Sequence, residues 1–363
     1  MLKVDVVVGA QYGDEGKGQV ALWMADHNPY DVLLRAGGEN AEHRVTTREG
    51  RRETFHILPS ALASERKPSI VGLPAGMTFS LDGLRREVEL HKPIGLFVDR
   101  NAAIITEDLR ESGMSAAKTR GSTFLGVGAT MAAKVARNGS CTIASRYLRE
   151  IEDMGGTVSN VAAVLRLYDR NENGGWDTPT HVLLEASQGV MLSLDHGYYP
   201  YCTSRNVTAS GALSDCGLNW QDVNRVIMVV KAVPTRVPGN SGPSAAKELS
   251  WKEVCARAGR PYEEIAQTAD ASTGAGPGAG GVERPFEISM VELRQAADLC
   301  GPTSIVLTHA DWYDYSCLGA RQQRHLSPKI KLLAHDIEEV MGAPVTQIRT
   351  GPEYNDVVYL PSG

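Results

Sequence analysis

The run Gly9-Ala10-Gln11-Tyr12-Gly13-Asp14-Glu15-Gly16-Lys17-Gly18 puts two carboxylates and an ammonium into one glycine-rich turn. The Val-rich stretch Val4–Val8 feeds into it, and a helix is expected from near Gln19. Backbone N–H groups left bare by glycine, next to a helix N-terminus, make a cradle for phosphate. The pattern is not GxxxxGK[ST], which would need glycine at Gln11 and Ser or Thr at Gly18. The hydroxyl that holds Mg²⁺ in that motif is therefore missing, and Asp14 could replace it as a metal ligand. A glycine-rich turn by itself serves equally well as a plain structural turn. Three charges inside it favour chemistry. Kept ionised by nearby cations, Asp14 could accept a proton. Lys17 and the N–H groups from Gly13 to Gly18 could neutralise a phosphoryl group in transfer.

Positioning such a loop calls for a sheet. β-Branched runs at Val4–Val8, Ser69–Leu73, Ile94–Val98, His181–Glu185, Arg225–Val233, Ser304–Thr308 and Val345–Ile348 alternate with helical stretches. That alternation predicts an α/β fold, a mostly parallel central sheet flanked by helices, in one continuous unit over residues 1–363. Ser80–His91 has Leu81, Leu84 and Val88 at helical spacing, and Pro328–Val340 has Ser327 as cap and Pro328 in the first turn. A second glycine-rich segment, Thr273–Gly281, reads as a loop that could close over a ligand.

A net charge of -6 gives no general attraction to nucleic acid, so an anionic ligand needs a local site and a polymer partner is not expected. The six cysteines lack metal or CxxC spacing and read as reduced, buried thiols. Met1 leads straight into a strand, and no run nears the roughly 20 apolar residues of a membrane span, so a cytoplasmic location away from membranes is expected.

Several ordered motifs together resemble the adenylosuccinate synthetase family. After the first loop come GGENAEHR (Gly37–Arg44), HILPSALA from His56, GSTFLGVGATMAAKVAR (Gly121–Arg137) and EASQGVMLSLDHGYYPYCTSRNVTASG (Glu185–Gly211). VVKAVPTRV (Val229–Val237), ASTG (Ala271–Gly274), LTHAD (Leu307–Asp311) and TGPEYND (Thr350–Asp356) follow. The resemblance implies that family's fold, with a variant of the P-loop NTPase nucleotide loop. It also implies a C–N ligase that uses a nucleoside triphosphate and Mg²⁺ to join L-aspartate to the 6-position of a purine monophosphate. Asp14 would remove the purine N1 proton, His43 would act as acid on the 6-oxygen as it is phosphorylated, and Lys17 would assist. Mg²⁺ would lie on Asp14 and the carbonyl of Glu42, a position usually occupied by glycine.

By the same resemblance the triphosphate would be held by Gly13, Glu15, Gly16, Lys17, Gly18, Asp311, Thr350, Gly351 and Pro352. The monophosphate would be held by Asn40, Thr123, Gln188, Thr203 and Arg236, with Arg137 reaching a neighbouring subunit's nucleotide in a homodimer. Read alone, Arg137 is as well explained as a solvated helix charge, Arg236 as a surface ion pair, and Tyr198, Tyr199 and Tyr201 as core.

Two motifs depart from the family. The aspartate loop, usually ATTGRPRR, becomes a glycine run with one nearby base, leaving Thr273 and Arg284 as the aspartate-binding candidates. The base-reading TKLD becomes Thr308-His309-Ala310-Asp311, which keeps the carboxylate but loses the lysine stem, so ATP, dATP and GTP all stay open. YPYCTSR and GPEYNDV resemble the short bacteriophage branch, which implies dGMP as acceptor, with IMP as the alternative. A small residue often found at the Asp14 position in that branch is not present here. Two rivals remain at this point: a nucleotide-binding regulator, and a P-loop kinase or NTPase. The intact Asp14, Lys17 and His43 count against the first, and the absent hydroxyl at Gly18 against the second.

Overall fold

The computed structural model describes residues 2–117, 125–171, 179–263 and 282–360, so Thr123, Thr273 and the segment Thr273–Gly281 lie outside the described residues. A ten-stranded sheet organises the chain. Its strands are β1 (Lys3–Gly9), β2 (Val32–Ala36), β3 (Ile70–Leu73), β4 (Leu96–Asp99), β5 (Gly156–Ser159), β6 (His181–Gly189), β7 (Val223–Lys231), β8 (Ser304–Thr308), β9 (Val345–Arg349) and β10 (Val357–Tyr359). The spatial order is β5-β4-β3-β2-β6-β1-β7-β8-β9-β10. Every pairing is parallel except the last, β9 with β10.

A parallel sheet covered on both faces must be apolar on both, and β1 shows how. Val4, Val6 and Val8 enter one core with Leu34, Leu184, Met228 and Leu307, while Val7 enters the other with Leu33, Leu183, Val229 and Val306. Each such side chain, fully buried, contributes about 1.5–3 kcal/mol. Helix Lys17–His27 covers the second face through Val20, Leu22 and Met24. Helices Ala209–Cys216, Met290–Cys300 and Pro328–Met341 cover the first.

The expected helix starts hold in detail. Ser80 Oγ accepts from Gly83 N at 3.1 Å, and Ser327 Oγ accepts from Ile330 N at 3.2 Å ahead of Pro328. The helix expected near Gln19 begins two residues earlier, at Lys17, because Gly16 ends the loop in a left-handed conformation (φ 78°). Four cysteines (Cys216, Cys255, Cys300, Cys317) are buried, Cys141 and Cys202 are half-buried, and none is in a disulfide. Tyr199 corrects the reading of its cluster as core, being 76 % exposed. Among the described residues no helix is long and apolar enough to cross a membrane.

Candidate active site

Parallel strands end on a common edge, and ligands of such sheets lie beyond their carboxyl ends. Here β1 runs into the Gly9–Gly18 loop, β2 into Gly37–Asn40, β7 ends at Lys231, β8 leads to His309 and Asp311, and β9 leads to Thr350. Gln188 and Gly189 close β6. One edge of one sheet therefore gathers most of the residues singled out by chemistry.

The phosphate loop is shaped by its own charges. Glu15 is buried, and its Oε1 accepts the backbone N–H groups of Gln11 and Gly13, each at 2.9 Å. Its Oε2 accepts from Lys17 Nζ at 2.6 Å, and Lys17 also donates to the Gly13 carbonyl at 2.8 Å. Glu15 thus turns its carboxylate inward and can meet a ligand only through its backbone. The glycine at position 18 is explained by close approach: a Cβ there would lie 2.9 Å from His43 Cβ and 3.0 Å from Ser60 Oγ. The space a P-loop hydroxyl would need is taken by His43.

Asp14, in contrast, is half exposed, its side chain 53 % accessible. Its Oδ2 accepts from the ammonium of Lys231 and from Thr235 Oγ1 at 2.9 Å. Burial of the carboxyl group pushes its pKa up, but the Lys231 charge and these hydrogen bonds outweigh that and hold it below the usual carboxylate range. Lys231 itself is buried, donates to Thr235 Oγ1 at 2.8 Å and lies 4.8 Å from the centre of the Trp312 ring. Burial and the charge of Asp14 push the neighbouring Glu283 carboxyl up to about 7. One ionised carboxylate therefore stands at the mouth of the loop.

His43 opens a short hairpin, His43–Thr46 against Arg52–Phe55, and its Nδ1 is bonded to Glu185 Oε1. Glu185 belongs to β6, beside Arg35 of β2, and also accepts from Ser60 N and Ser60 Oγ at 2.7 Å each. Burial and the Arg35 charge lower the His43 pKa to about 4, against the pull of Glu185. Burial raises the Glu185 pKa, but His43 and Arg35 bring it down to about 2. An ionised Glu185 accepting Nδ1–H leaves Nε2 as the open nitrogen, buried and without a partner among the described residues.

Other buried acceptors are equally unmatched: Asn40 Oδ1, Ser187 Oγ and Gln188 Oε1 have no hydrogen-bond partner among the described residues. Gln188 also has φ 67°, a left-handed conformation that non-glycine residues adopt at a cost. Orphaned buried atoms and local strain concentrate where a ligand completes the structure. Gly37 and Gly13 pack so closely on Ser187 and Gln188 that a Cβ would lie 2.2 Å from Ser187 Oγ and 3.2 Å from Gln188 Cα, respectively. The loops after β1, β2 and β6 are thereby brought together.

The remaining candidates occupy varied places. The Thr203 N–H donates to the Leu192 carbonyl at 2.8 Å. Arg137 is exposed, with φ 54°, at the end of helix Val127–Ala136. Arg236 is buried rather than a surface ion pair, and donates to the carbonyls of Ser241, Pro243 and Tyr201 at 2.7–3.0 Å, with its guanidinium 4.5 Å from the Tyr12 ring centre. Its strand partner Arg284 holds Glu248 at 2.8 Å through Nε and the Gly242 carbonyl at 3.0 Å through Nη1. The Glu42 side chain is bonded to Arg44. Thr350 is buried and donates to the Ala320 carbonyl at 2.7 Å, Gly351 is half-buried, and Pro352 is exposed. Burial lifts the Asp311 carboxyl to about 6 against the pull of Arg260.

Lys231, Thr235, Glu185 and Arg35 were not assigned from the sequence. Lys231, Glu185 and Arg35 each carry a signal, a charge inside an otherwise apolar strand, whereas the contacts of Thr235 depend on tertiary structure.

A glycine-rich loop at the carboxyl edge of a parallel sheet, an ionised carboxylate at its mouth and a histidine–glutamate pair beside it form a site of the kind that α/β nucleotide enzymes carry. The chain belongs to the adenylosuccinate synthetase family, whose model matches residues 6–154 and 146–316. It is 33 % identical to the adenylosuccinate synthetase of Methanocaldococcus jannaschii over 99 % of this chain and 97 % of that protein. It is 28 % identical to the N6-succino-2-amino-2'-deoxyadenylate synthase of Vibrio phage phiVC8 over 98 % of each. The fold is shared with the succinoaminodeoxyadenylate synthetase of cyanophage S-2L, solved with dGMP and with dATP as energy donor (TM-score 0.82, 24 % identity, 100 % and 96 % coverage). It is also shared with the fully ligated adenylosuccinate synthetase of Plasmodium falciparum (TM-score 0.80, 18 % identity, 99 % and 100 % coverage). The chain is thus a C–N ligase of the class that joins aspartate to a purine nucleotide with consumption of a nucleoside triphosphate.

Proposed function

We propose that the acceptor is dGMP and the product N6-succino-2-amino-2'-deoxyadenylate. The observation that carries this is the set of orphaned acceptors, Asn40 Oδ1 and Gln188 Oε1 foremost. Guanine offers N1–H and a 2-amino group as donors, whereas hypoxanthine offers N1–H alone, so the guanine nucleotide satisfies more of the buried oxygens. The phage synthase at 28 % identity supports the same reading. IMP is the second reading, favoured by the 33 % identity to an archaeal synthetase and by the intact Asp14.

In this reading Asp14 takes the purine N1 proton, and the 6-oxygen attacks the γ-phosphorus as the nucleoside diphosphate leaves. Phosphate charge next to His43 opposes the effects of burial and Arg35, so the imidazole carries a proton on Nε2 and donates it to the 6-oxygen. The aspartate amino group then displaces phosphate at C6. Lys17 and the loop N–H groups meet the transferring charge. Mg²⁺ fits Asp14 as a half-exposed, ionised oxygen ligand, with the Glu42 carbonyl as the other protein donor. Among the described residues no group of three or more His, Cys, Asp or Glu could hold a metal, so phosphate oxygens and water must supply the remaining ligands. When bound, Mg²⁺ supplies charge neutralisation on the triphosphate. The aspartate carboxylates would meet Arg284 and Thr273. Arg137, exposed at a helix end, would serve the site of a second copy in a homodimer.

Mass spectrometry of products tests the acceptor directly, with aspartate, Mg²⁺ and mixed ATP and GTP incubated against dGMP or IMP. A succinyl adduct on dGMP alone supports the proposal, one on IMP alone establishes the second reading, and none on either defeats both.

A further inference from the structure

The phosphate loop is gripped from outside as well as by its own charges. Tyr12 stands between Gln11 and Gly13, the two residues whose N–H groups Glu15 accepts, and its phenol donates to Glu292 Oε1 at 2.6 Å. Glu292 is 2 % exposed. The same Oε1 accepts from Tyr198 Oη at 2.7 Å and from the Ala245 N–H at 2.9 Å, and Ser244 Oγ donates to Oε2 at 3.2 Å. A buried carboxylate needs such compensation, and here phenols, a hydroxyl and a backbone amide supply it.

Glu292 is anchored without help from the loop. It lies in the first turn of helix Met290–Cys300, where Ser289 Oγ accepts from the Glu292 N–H at 3.3 Å and the helix dipole favours a carboxylate. Leu293 and Ala296, both fully buried, fix the helix in the first-face core. Burial and the Glu292 charge raise the Tyr12 phenol well above its ordinary pKa, so it keeps the proton that it donates. The face of the Tyr12 ring carries the Arg236 guanidinium, 4.5 Å from its centre. Arg236 in turn donates to the carbonyls of Tyr201, Ser241 and Pro243. Glu292 and Arg236 thus grip the same three segments, the phosphate loop, residues 198–201 and residues 241–245.

A loop that meets transferring charge with backbone N–H groups must hold them in place before the charge develops, because a displacement of about 1 Å can cost about 10²-fold in rate. Glu15 and Lys17 belong to the loop and fix its shape from within. The Tyr12–Glu292 bond ties that shape to a helix of the core.

We propose that Glu292 is a positioning residue for the ligation, acting through the Tyr12 phenol to set where the phosphate loop presents its N–H groups. This rests on the reading of Gly9–Gly18 as the triphosphate loop.

Steady-state ligation tests it, with whichever of dGMP and IMP the wild type turns over and with thermal melts read alongside. Tyr12→Phe keeps the ring against Arg236 and loses one hydroxyl. It should lower kcat/KM for the triphosphate about tenfold while KM for aspartate stays within about twofold of wild type. Tyr198→Phe takes an equivalent bond from the same carboxylate without touching the loop. It should lower the melting temperature comparably, with kcat/KM for the triphosphate within about twofold of wild type. Glu292→Met should match Tyr12→Phe, and adding Tyr12→Phe to it should bring no further loss. Glu292→Gln, which keeps an acceptor, should recover part of the activity. Near-wild-type kcat/KM in Tyr12→Phe, equal losses in the two Phe variants, or losses that multiply in the double variant would overturn the proposal. The two Phe variants decide it even where Glu292→Met fails to fold. A Lys17→Ala variant with unchanged kcat/KM for the triphosphate would instead defeat the loop reading itself.

Discussion

The ammonium of Lys231, at the end of β7, binds the Asp14 carboxylate at the mouth of the loop after β1, joining the carboxyl ends of two adjacent strands. A buried cation is thereby set against a half-exposed carboxylate. The pairing is asymmetric: Lys231 is buried and also meets Thr235 and the Trp312 ring, whereas Asp14 keeps an open side towards solvent. A carboxylate held this way stays ionised while one side remains open to a ligand.

Replacing Asp14 with Asn should lower kcat about 10²–10⁴-fold, the usual contribution of a positioned base. The amide oxygen can still accept from Lys231, so cooperative unfolding should survive. Steady-state ligation rates read alongside a thermal melt check both parts. A folded variant with near-native turnover would remove Asp14 from the chemistry.

Lys231→Met should act on the same step by another route. Loss of the cation removes the largest influence that lowers the Asp14 pKa, so the pKa rises and the acid limb of the pH–rate profile moves to higher pH. A roughly tenfold or greater fall in kcat should accompany it, since a fixed charge beside the reacting phosphoryl group is lost. An acid limb that stays in place would show that Lys231 does not set the state of Asp14.

The distribution of what was legible in the sequence follows from the physics. All seven expected strands appear, because a sheet buried on both faces writes itself as continuous β-branched runs. Val32–Ala36 was passed over: Arg35 interrupts its apolar run, and only the fold shows that this guanidinium is fully buried, bonded to the Ala41 carbonyl at 2.8 Å and 3.8 Å from Glu185. Gly156–Ser159 and Val357–Tyr359 are short edge strands of four and three residues, too short to show a pattern, and the first pairs with Leu96–Asp99 far away in sequence. Asp14, Lys17 and His43 could be read because loop chemistry and motif spacing are local. Lys231 and Glu185 show only as charges inside apolar strands, because their roles lie in partners 217 and 142 residues away.

His43 should leave a signature in stability as well as in turnover. Its folded pKa of about 4 lies below the ordinary histidine value of about 6.5, so the unfolded chain takes up a proton first as pH falls. Stability from this group is complete above pH 6.5 and is lost progressively down to about 4. Carboxyls raised by burial, Asp311 to about 6 and Glu283 to about 7, work in the opposite sense, so the informative quantity is a difference between proteins. Between pH 7 and pH 5 the wild type should lose on the order of 2 kcal/mol more stability than His43→Asn. Denaturant melts at the two pH values measure it, and parallel pH dependence in both proteins would contradict the buried neutral imidazole.

Arg137 offers the sharpest test of a shared site. It ends helix Val127–Ala136 exposed and in a left-handed conformation, a poor place for a residue whose only task is to cap a helix. If it completes the nucleotide site of a second copy, Asp14→Asn and Arg137→Ala should each be inactive alone yet complement one another. A mixed dimer contains one site with both defects and one with neither. Random reassortment makes half the dimers mixed, so an equal mixture should recover roughly a quarter of wild-type activity. Recovery should require subunit exchange and disappear when the mixture is diluted below the dimer dissociation constant. A mixture as inactive as its components, with exchange demonstrated by differently tagged chains, would confine Arg137 to its own protomer.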